Sequence, residues 1–528
     1  MHRSGTSCDG GSSLVDGLLR AGAYEHPAES IELIETHISW VILAGDFAYK
    51  IKKSLVLDFL DFGDLQKRRH FCDEELRLNR PWAPDLYLDV VPITLDEGLP
   101  RIGGTGDPVE YALRMRRFDP GLRLDRQLAS GRLAARDMKE LGRVIAERHG
   151  SAPRVSAGRR DHYLTVTSDF MWDNFAAIEG AIGENVLGPL RDWTRAELER
   201  HEPLIAARFD AGRVRDCHGD LHLGNLVRLA GGIATFDCIE FNEDLRAIDV
   251  ICDIAFLVMD LVEHDRADLA AQFLNRYLEA GGDYEGVALL DLFFVYRCLV
   301  RAKVAVIRAA ERDDPALCKA DLAEARRYCE MAGKQASKGE PLLVLMTGLS
   351  GSGKTWVSGQ LMASLPAIRV RSDVERRRLF GLAETEASGS GVASGIYSSA
   401  AGRKVYARLC ELAALLLQTR HNVILDAAFL RESERRDALQ IAESAGYAAL
   451  IVRAEAPEAV LRERILDRRA RGTDASEADL AVLEFQLAKA EPLTADEMKR
   501  ALVIDNQGPL DATRLAARAR NLARRVVA

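Results

Sequence analysis

Residues 217–226 read CHGDLHLGNL, and two chemistries compete for these letters. His218 and His222 are four positions apart, the spacing at which two imidazoles on one helix face can share a zinc ion. That site needs a continuous helix and a glutamate next to the first histidine. Here Gly219 follows His218 and Gly224 interrupts the segment, which disfavours a helix. The other reading is H-x-D-L-x-x-x-N, formed by His218, Asp220, Leu221 and Asn225. In that pattern the aspartate accepts the hydrogen of an acceptor hydroxyl, and the asparagine holds a Mg²⁺ that bridges ATP phosphates.

Phosphotransfer of this kind needs three further groups, and the chain offers each in order. A second metal-binding carboxylate is Asp237 in TFDCIEF (235–241). A lysine on an early strand is Lys50 in AYKIKK (48–53), and a glutamate on the following helix is Glu75, or its neighbour Glu74, in CDEELRLNR (72–80). Alone, each residue is ordinary: an aspartate in a turn is usually a cap, and a strand lysine usually meets water. Four in the right order, each in its expected element, outweigh that reading and the zinc reading. Residues 30–325 resemble the aminoglycoside phosphotransferase-like branch of the protein-kinase-like fold, most densely in CHGDLHLGNL and TFDCIEFN. The resemblance implies Asp220 as catalytic base, Asn225 and Asp237 as Mg²⁺ ligands, and Lys50, oriented by Glu75, as the phosphate-binding lysine. One departure is plain: no G-x-G-x-x-G lies between 30 and 50, only the short AGD at 44–46. Arg246, Asp249 and Asp253, close behind Asp237, are expected to form structural ion pairs, with contact to the substrate as the alternative.

A second motif stands at 348–355, GLSGSGKT, directly after the apolar run PLLVLMT. Strand, glycine loop and helix in that order form a P-loop. Backbone N–H groups across Gly348, Ser350, Gly351, Ser352 and Gly353 cradle phosphate, Lys354 reaches the outer phosphates, and Thr355 binds Mg²⁺. Asp373, in RVRSDVERRRLFG (369–381), sits where small P-loop kinases put a carboxylate that faces the acceptor hydroxyl, within the reach a general base needs. Asp426 ends the strand HNVILDAAFL (421–430) as a candidate for Mg²⁺ or substrate. Arg464 and Arg468 lie one turn apart before a polar loop, as lid arginines that stabilise transferring charge would. VIDNQG (503–508) is a candidate border of the adenine pocket. Residues 340–528 resemble P-loop kinases of the gluconate kinase, polynucleotide kinase and zeta-toxin type. The fusion resembles bacterial proteins that join the two.

The expected fold is therefore an α+β bilobal kinase-like domain followed by an α/β P-loop NTPase domain with a mostly parallel sheet. Its expected boundaries are a lead-in at 1–29, the first domain at 30–325, a polar linker at 326–340 and the second domain at 341–528. The 528 residues are 48% hydrophobic and 29% charged, a globular balance. A net charge of -9 argues against nucleic acid as the main partner, since such binding is driven by neutralising phosphates. Nine cysteines without a C-x-x-C pair suit a reducing cytoplasm. The apolar stretch 289–307 is broken by Asp291, Arg297, Arg301 and Lys303, so no membrane span is expected. Three functions fit: a bifunctional small-molecule kinase using ATP and Mg²⁺, a single P-loop kinase regulated by the first half, or a 5′-hydroxyl kinase for nucleic acid. Acceptor and oligomeric state are not written in any motif.

Overall fold

The computed structural model describes residues 9–57, 60–362, 364–383, 386, 394–471, 479–508 and 510–527. Helix α1 (Asp9–Leu18) leads into strands β1 (Ile31–Glu35), β2 (Ser39–Ala44) and β3 (Phe47–Lys52). A short pair follows, β4 (Val56–Leu57) and β5 (Leu60–Asp61), then α2 (Leu65–Asn79) and β6 (Tyr87–Asp96), β7 (Leu99–Ile102) and β8 (Glu110–Arg116). The six long strands make one antiparallel sheet in the order β1-β2-β3-β8-β6-β7. The AGD turn closes the β2–β3 hairpin with Ala44 opposite Phe47, and Gly45 takes a left-handed φ of 56° there. The stretch 1–29, expected as a lead-in, contributes to this core. Val15, Leu18, Ala23 and Tyr24 pack with Ile42, Tyr49 and Ile93. Small polar residues around α1 (DGGSS) hide its apolar face from a sequence reading.

Helices α3 (Leu124–Ala129), α4 (Ala135–Ser151), α5 (Arg160–Ile178) and α6 (Glu184–Asp210) come next, as the helical text from 120 to 210 predicts. Strands β9 (Val214–Asp216), β10 (Leu226–Leu229), β11 (Gly232–Thr235) and β12 (Ala247–Asp249) follow, with β10 paired to β11 and β9 to β12, both antiparallel. GGIATFDCIEF (231–241) reads in the sequence as a short hairpin; in the structure its strand β11 pairs instead with β10, which starts inside the loop motif at Leu226, and Asp237 lies beyond β11. Helices α7 (Val250–Glu263), α8 (Ala267–Gly281), α9 (Leu290–Ala310) and α10 (Pro315–Ala336) complete this part. The 326–340 segment, read as a linker, is helical as far as Ala336. It buries Tyr328, Cys329 and Ala332, whose 3–4 spacing is that of a packed helix face. Arg297, one of the charges that break the apolar stretch 289–307, is buried.

The remaining elements alternate: β13 (Leu342–Thr347), α11 (Lys354–Met362), β14 (Ile368–Arg371), α12 (Ser372–Leu379), α13 (Ser399–Gln418), β15 (Val423–Asp426) and α14 (Glu432–Ser444). Then come β16 (Ala448–Glu455), α15 (Glu458–Arg471), α16 (Leu480–Lys489), α17 (Ala495–Lys499), β17 (Ala501–Asp505) and α18 (Ala512–Val527). The sheet order is β14-β15-β13-β16-β17, and every pairing is parallel. Its central strand β13 is buried throughout and apolar up to its last residue, Thr347, as suits a strand covered on both faces.

By their contacts the residues fall into two compact units. One holds Met1–Leu133, Ala152–Thr167 and Leu204–Leu257; the other holds Ala134–Ser151, Ser168–Pro203 and Val258–Ala528. Helices α8, α9 and α10 thus belong with the parallel sheet, where the sequence suggested a cut near 335. Among the described residues no helix is long and apolar enough to cross a membrane.

Arg435 on α14 is an example of what fixes the second unit. It is fully buried, donates to both Glu497 carboxylate oxygens (2.7 and 3.0 Å), and donates to the carbonyls of Leu430 (3.2 Å) and Pro492 (3.0 Å). Arg435→Met is expected to lower stability by about 3–5 kcal/mol, because Glu497 stays buried without its counter-charge. A urea midpoint within experimental scatter of the parent would refute this.

Candidate active sites

The first site begins with the pleat of β3. Alternate residues share a face, so Lys50 and Lys52 point the same way. Lys50 Nζ donates to Glu75 Oε1 on α2 at 2.7 Å and to Asp237 Oδ1 at 2.5 Å. Lys52 Nζ donates to Glu75 Oε2 at 2.9 Å and also to Glu240. Glu74, the alternative orienting residue, instead pairs with Arg77 at 2.8 Å. Burial pushes the Glu75 carboxyl up, but the two ammonium groups outweigh it and leave its pKa at about 2. Burial would deprotonate Lys50, yet Asp237 and Glu75 hold it well above the ordinary lysine range. Burial raises the carboxyl of Glu240, which Lys52 only partly offsets. Lys52 and Glu240 were missed by the sequence reading; the signal was the alternation K-I-K.

The loop between β9 and β10 is not a helix. Gly219 has φ 83°, and a Cβ there would lie 2.8 Å from the Leu245 carbonyl oxygen. The zinc reading therefore loses its scaffold. His218 is fully buried, and burial lowers its pKa, so the ring is neutral. Its Nε2 lies 3.0 Å from the Phe236 carbonyl and its Nδ1 lies 3.3 Å from the Asp220 amide; Nε2–H donating and Nδ1 accepting satisfies both. Asp253 on α7 accepts from the amides of His218 (3.3 Å) and Gly219 (2.8 Å), fixing the loop from beneath.

Asn225 Nδ2 donates to Asp220 Oδ2 at 2.9 Å, and the Asn225 carbonyl accepts from the Phe236 amide at 3.0 Å. The β10–β11 hairpin thus returns Asp237 to the same place as Asp220 and Asn225. Asp237 adopts φ 62°, a left-handed conformation that costs a non-glycine residue roughly 1–2 kcal/mol. Its amide donates to the Tyr87 hydroxyl at 2.9 Å. Asn225 and Asp237 offer oxygen donors only, the set that Mg²⁺ prefers. Arg246 pairs with Asp216 (2.8 Å) and Asp249 with Arg208 (2.7 and 2.8 Å), the structural ion pairs expected of this segment.

The second site is the turn from β13 into α11. Gly348, Gly351 and Gly353 all have positive φ (141°, 84° and 83°). A Cβ on Gly348 would lie 2.5 Å from the Ala454 carbonyl, and one on Gly351 2.6 Å from that of Leu461. Only glycine lets the backbone fold into a phosphate cradle here. Lys354 Nζ rests on the Gly348 and Leu349 carbonyls at 2.8 and 3.0 Å. Burial lowers its pKa, with Asp426 and Asp373 acting in the opposite direction.

A cavity of about 990 Å³ opens beside the loop, lined by Gly353, Lys354, Thr355, Asp373, Asp426 and Arg468, among others. Ser350, Gly351 and Arg464 also face it. Asp373 sits in the first turn of α12, and Asp426 ends β15, where its Oδ2 accepts from Ser358 Oγ at 3.2 Å. Arg464 donates to the carbonyls of Asn506 (2.7 Å) and Gly351 (3.4 Å), so it braces the loop. Asn506, in the stretch expected to border adenine, is buried and donates to Ser352 at 2.8 Å. The Ser352 hydroxyl is buried without a partner, and the Ser350 amide donates to Gln486 at 2.7 Å. The polar loop after Arg468 falls at 472–478, outside the described residues.

Residues 91–290 match the phosphotransferase enzyme family, and residues 343–493 match the AAA domain family. The chain is a phosphotransferase enzyme with kinase-like domains. Among solved structures it is similar to a choline/ethanolamine kinase family protein from Mesorhizobium loti, at 12% identity and TM-score 0.37, over 62% of this chain and 98% of that one. It is also similar to a sugar kinase from Janibacter, at 18% identity and TM-score 0.28, over 36% and 96%. An uncharacterized protein of Mycobacterium tuberculosis, Rv2004c, is 30% identical over 462 residues, which cover 87% of this chain and 90% of that protein. A protein of Mycobacterium bovis, Mb2027c, matches to the same extent. The chain belongs to the family of these mycobacterial proteins, joining a phosphotransferase-family segment to a P-loop segment.

Proposed function

We propose that the chain is a bifunctional kinase that moves the γ-phosphoryl group of ATP onto hydroxyl groups of small molecules at two separate sites. The observation that supports it best is Lys50, shared between Glu75 (2.7 Å) and Asp237 (2.5 Å), with Asp220 bonded to Asn225 in the adjoining loop. In the first site Asp220 accepts the proton as the acceptor oxygen bonds to the γ-phosphorus and the bond to the β–γ bridging oxygen breaks. Lys50 holds phosphate oxygens, and Asn225 and Asp237 would hold Mg²⁺. In the second site Asp373 takes the base role, Lys354 and the loop amides hold the phosphates, and Arg468 faces the transferring group. Thr355 and Asp426 would be the metal ligands there. Bound Mg²⁺ supplies charge neutralisation on the phosphates.

A second reading, a P-loop kinase regulated by the first half, is favoured by one observation. The connection from β1 to β2 is the three residues Thr36-His37-Ile38, without a glycine. The intact set of Asp220, Asn225 and Asp237 supports the bifunctional reading instead. A 5′-hydroxyl kinase is the weakest reading, given the acidic charge.

Asp220→Asn and Lys354→Ala, each assayed with labelled ATP and a metabolite extract, are expected to abolish different phosphorylated products. If Asp220→Asn leaves every product in place, the first half is not an enzyme on its own account, and the regulatory reading stands. Short 5′-hydroxyl oligonucleotides are expected to remain unlabelled. Glu240→Gln leaves Lys52 leaning on Glu75 alone and weakens its hold on Lys50. In a Lys354→Ala background it should raise the KM for ATP about fivefold, the equivalent of about 1 kcal/mol. An unchanged KM would show that Glu240 does not reach the nucleotide.

A further inference from the structure

Strand β14 is an edge of the parallel sheet, and it leads directly into Asp373. An uncovered edge leaves unpaired backbone groups. Here the cover comes from α8, inside the segment matched to the phosphotransferase family. Asn275 places its amide side chain as a strand would place a peptide: Oδ1 accepts from the Arg369 amide (2.6 Å) and Nδ2 donates to the Ala367 carbonyl (2.8 Å). One turn further on, Glu279 receives the Arg369 guanidinium at 2.8 Å and lies 3.7 Å from Arg371. Arg369 continues inward, 3.3 Å from both Ser358 Oγ and the Thr355 carbonyl on α11. Ser358 Oγ in turn has two acceptors within reach for its one proton, Asp426 Oδ2 at 3.2 Å and the Thr355 carbonyl at 3.0 Å, so it links the aspartate to the first turn of α11. Glu279, Arg369, Ser358 and Asp426 are all buried, so this chain of contacts is weakly screened by water. Burial pushes the Glu279 carboxyl up, but Arg369 and Arg371 outweigh it and keep it ionised.

We propose that Glu279 is a positioning residue for the P-loop site: through Arg369 and Ser358 it orients Asp426 and the first turn of α11, setting how tightly that site takes Mg²⁺ with nucleotide. This rests on the reading of 348–355 as an ATP–Mg²⁺ site. Groups hydrogen-bonded directly to a metal ligand, as Ser358 is to Asp426, change affinity or activity by roughly 10–100-fold, and Glu279 acts on that position through Arg369. A carboxylate that only packed helix to sheet would affect folding and leave the metal dependence alone.

The test is Mg²⁺-dependent binding of a non-hydrolysable ATP analogue to the full chain, titrated with MgCl₂. The P-loop share is the part that Lys354→Ala removes. Glu279→Gln is expected to raise the Mg²⁺ concentration for half-maximal P-loop binding by roughly tenfold, with Glu279→Asp recovering part of it. Ser358→Ala should give a similar shift, and the double variant little more than either alone, as members of one network behave. Because Glu279→Gln strands a buried guanidinium, Glu279→Gln combined with Arg369→Met guards against misfolding; that folded pair should show the same shift. A normal Mg²⁺ half-point in either folded variant overturns the proposal, as do strictly additive shifts. If Lys354→Ala removes no nucleotide binding, the P-loop reading itself fails, which is a different result.

Discussion

A buried cation must be answered by a carboxylate or by several oxygens, because the interior withholds the hydration it loses. That constraint arranges both candidate sites. Lys50 is drawn between a strand, a helix and a loop because Glu75 and Asp237 are what neutralise it. Lys354 has no such partner at contact distance and rests on two carbonyl oxygens, so burial wins and its pKa falls. The difference is chemical. The first lysine is already paired, so an incoming anion would have to compete for it; the second rests on neutral dipoles and would gain its counter-charge from an anion.

The second theme is backbone conformation that ordinary residues avoid. Gly219 turns the loop tightly enough for Asp253 to grip two successive amides. Gly348, Gly351 and Gly353 do the equivalent for the P-loop, pressed against carbonyls and a side chain that leave no room for Cβ. Asp237 adopts a left-handed φ although it is not glycine, and the Tyr87 hydroxyl and Lys50 hold it there. Strain of this sort collects where a side chain must be aimed.

The motifs were legible because chemistry fixes their spacing. His218, Asp220, Asn225 and Asp237 come together as the loop pattern implied, and GLSGSGKT folds between strand and helix. The parallel sheet followed from alternating apolar runs. Less legible was anything set by long-range packing. Helix α1 read as part of a lead-in because the small polar residues DGGSS precede its few apolar ones, and the burial of Val15 and Leu18 depends on a sheet formed later in the chain. The 326–340 stretch looked polar because its buried residues, Tyr328, Cys329 and Ala332, are scattered among charges. Arg464 looked like a lid residue because nothing local shows that Asn506 would meet it.

The buried network from Glu279 to Asp426 belongs with these long-range features, and it bears on why the two segments share one chain. Sheet edges in P-loop domains need cover, and a loop or a charged rim would serve. Here the cover is a helix whose Asn275 bonds the backbone on both sides of Ile368, at the Ala367 carbonyl and the Arg369 amide. Its Glu279 answers an arginine that reaches Ser358 and the Thr355 carbonyl at the start of α11. Two residues one helical turn apart therefore tie the strand's backbone and its charge to α8. A helix that supplied cover alone would need only apolar contact; one that carries the counter-charge of a buried arginine makes the second site electrostatically dependent on the first segment.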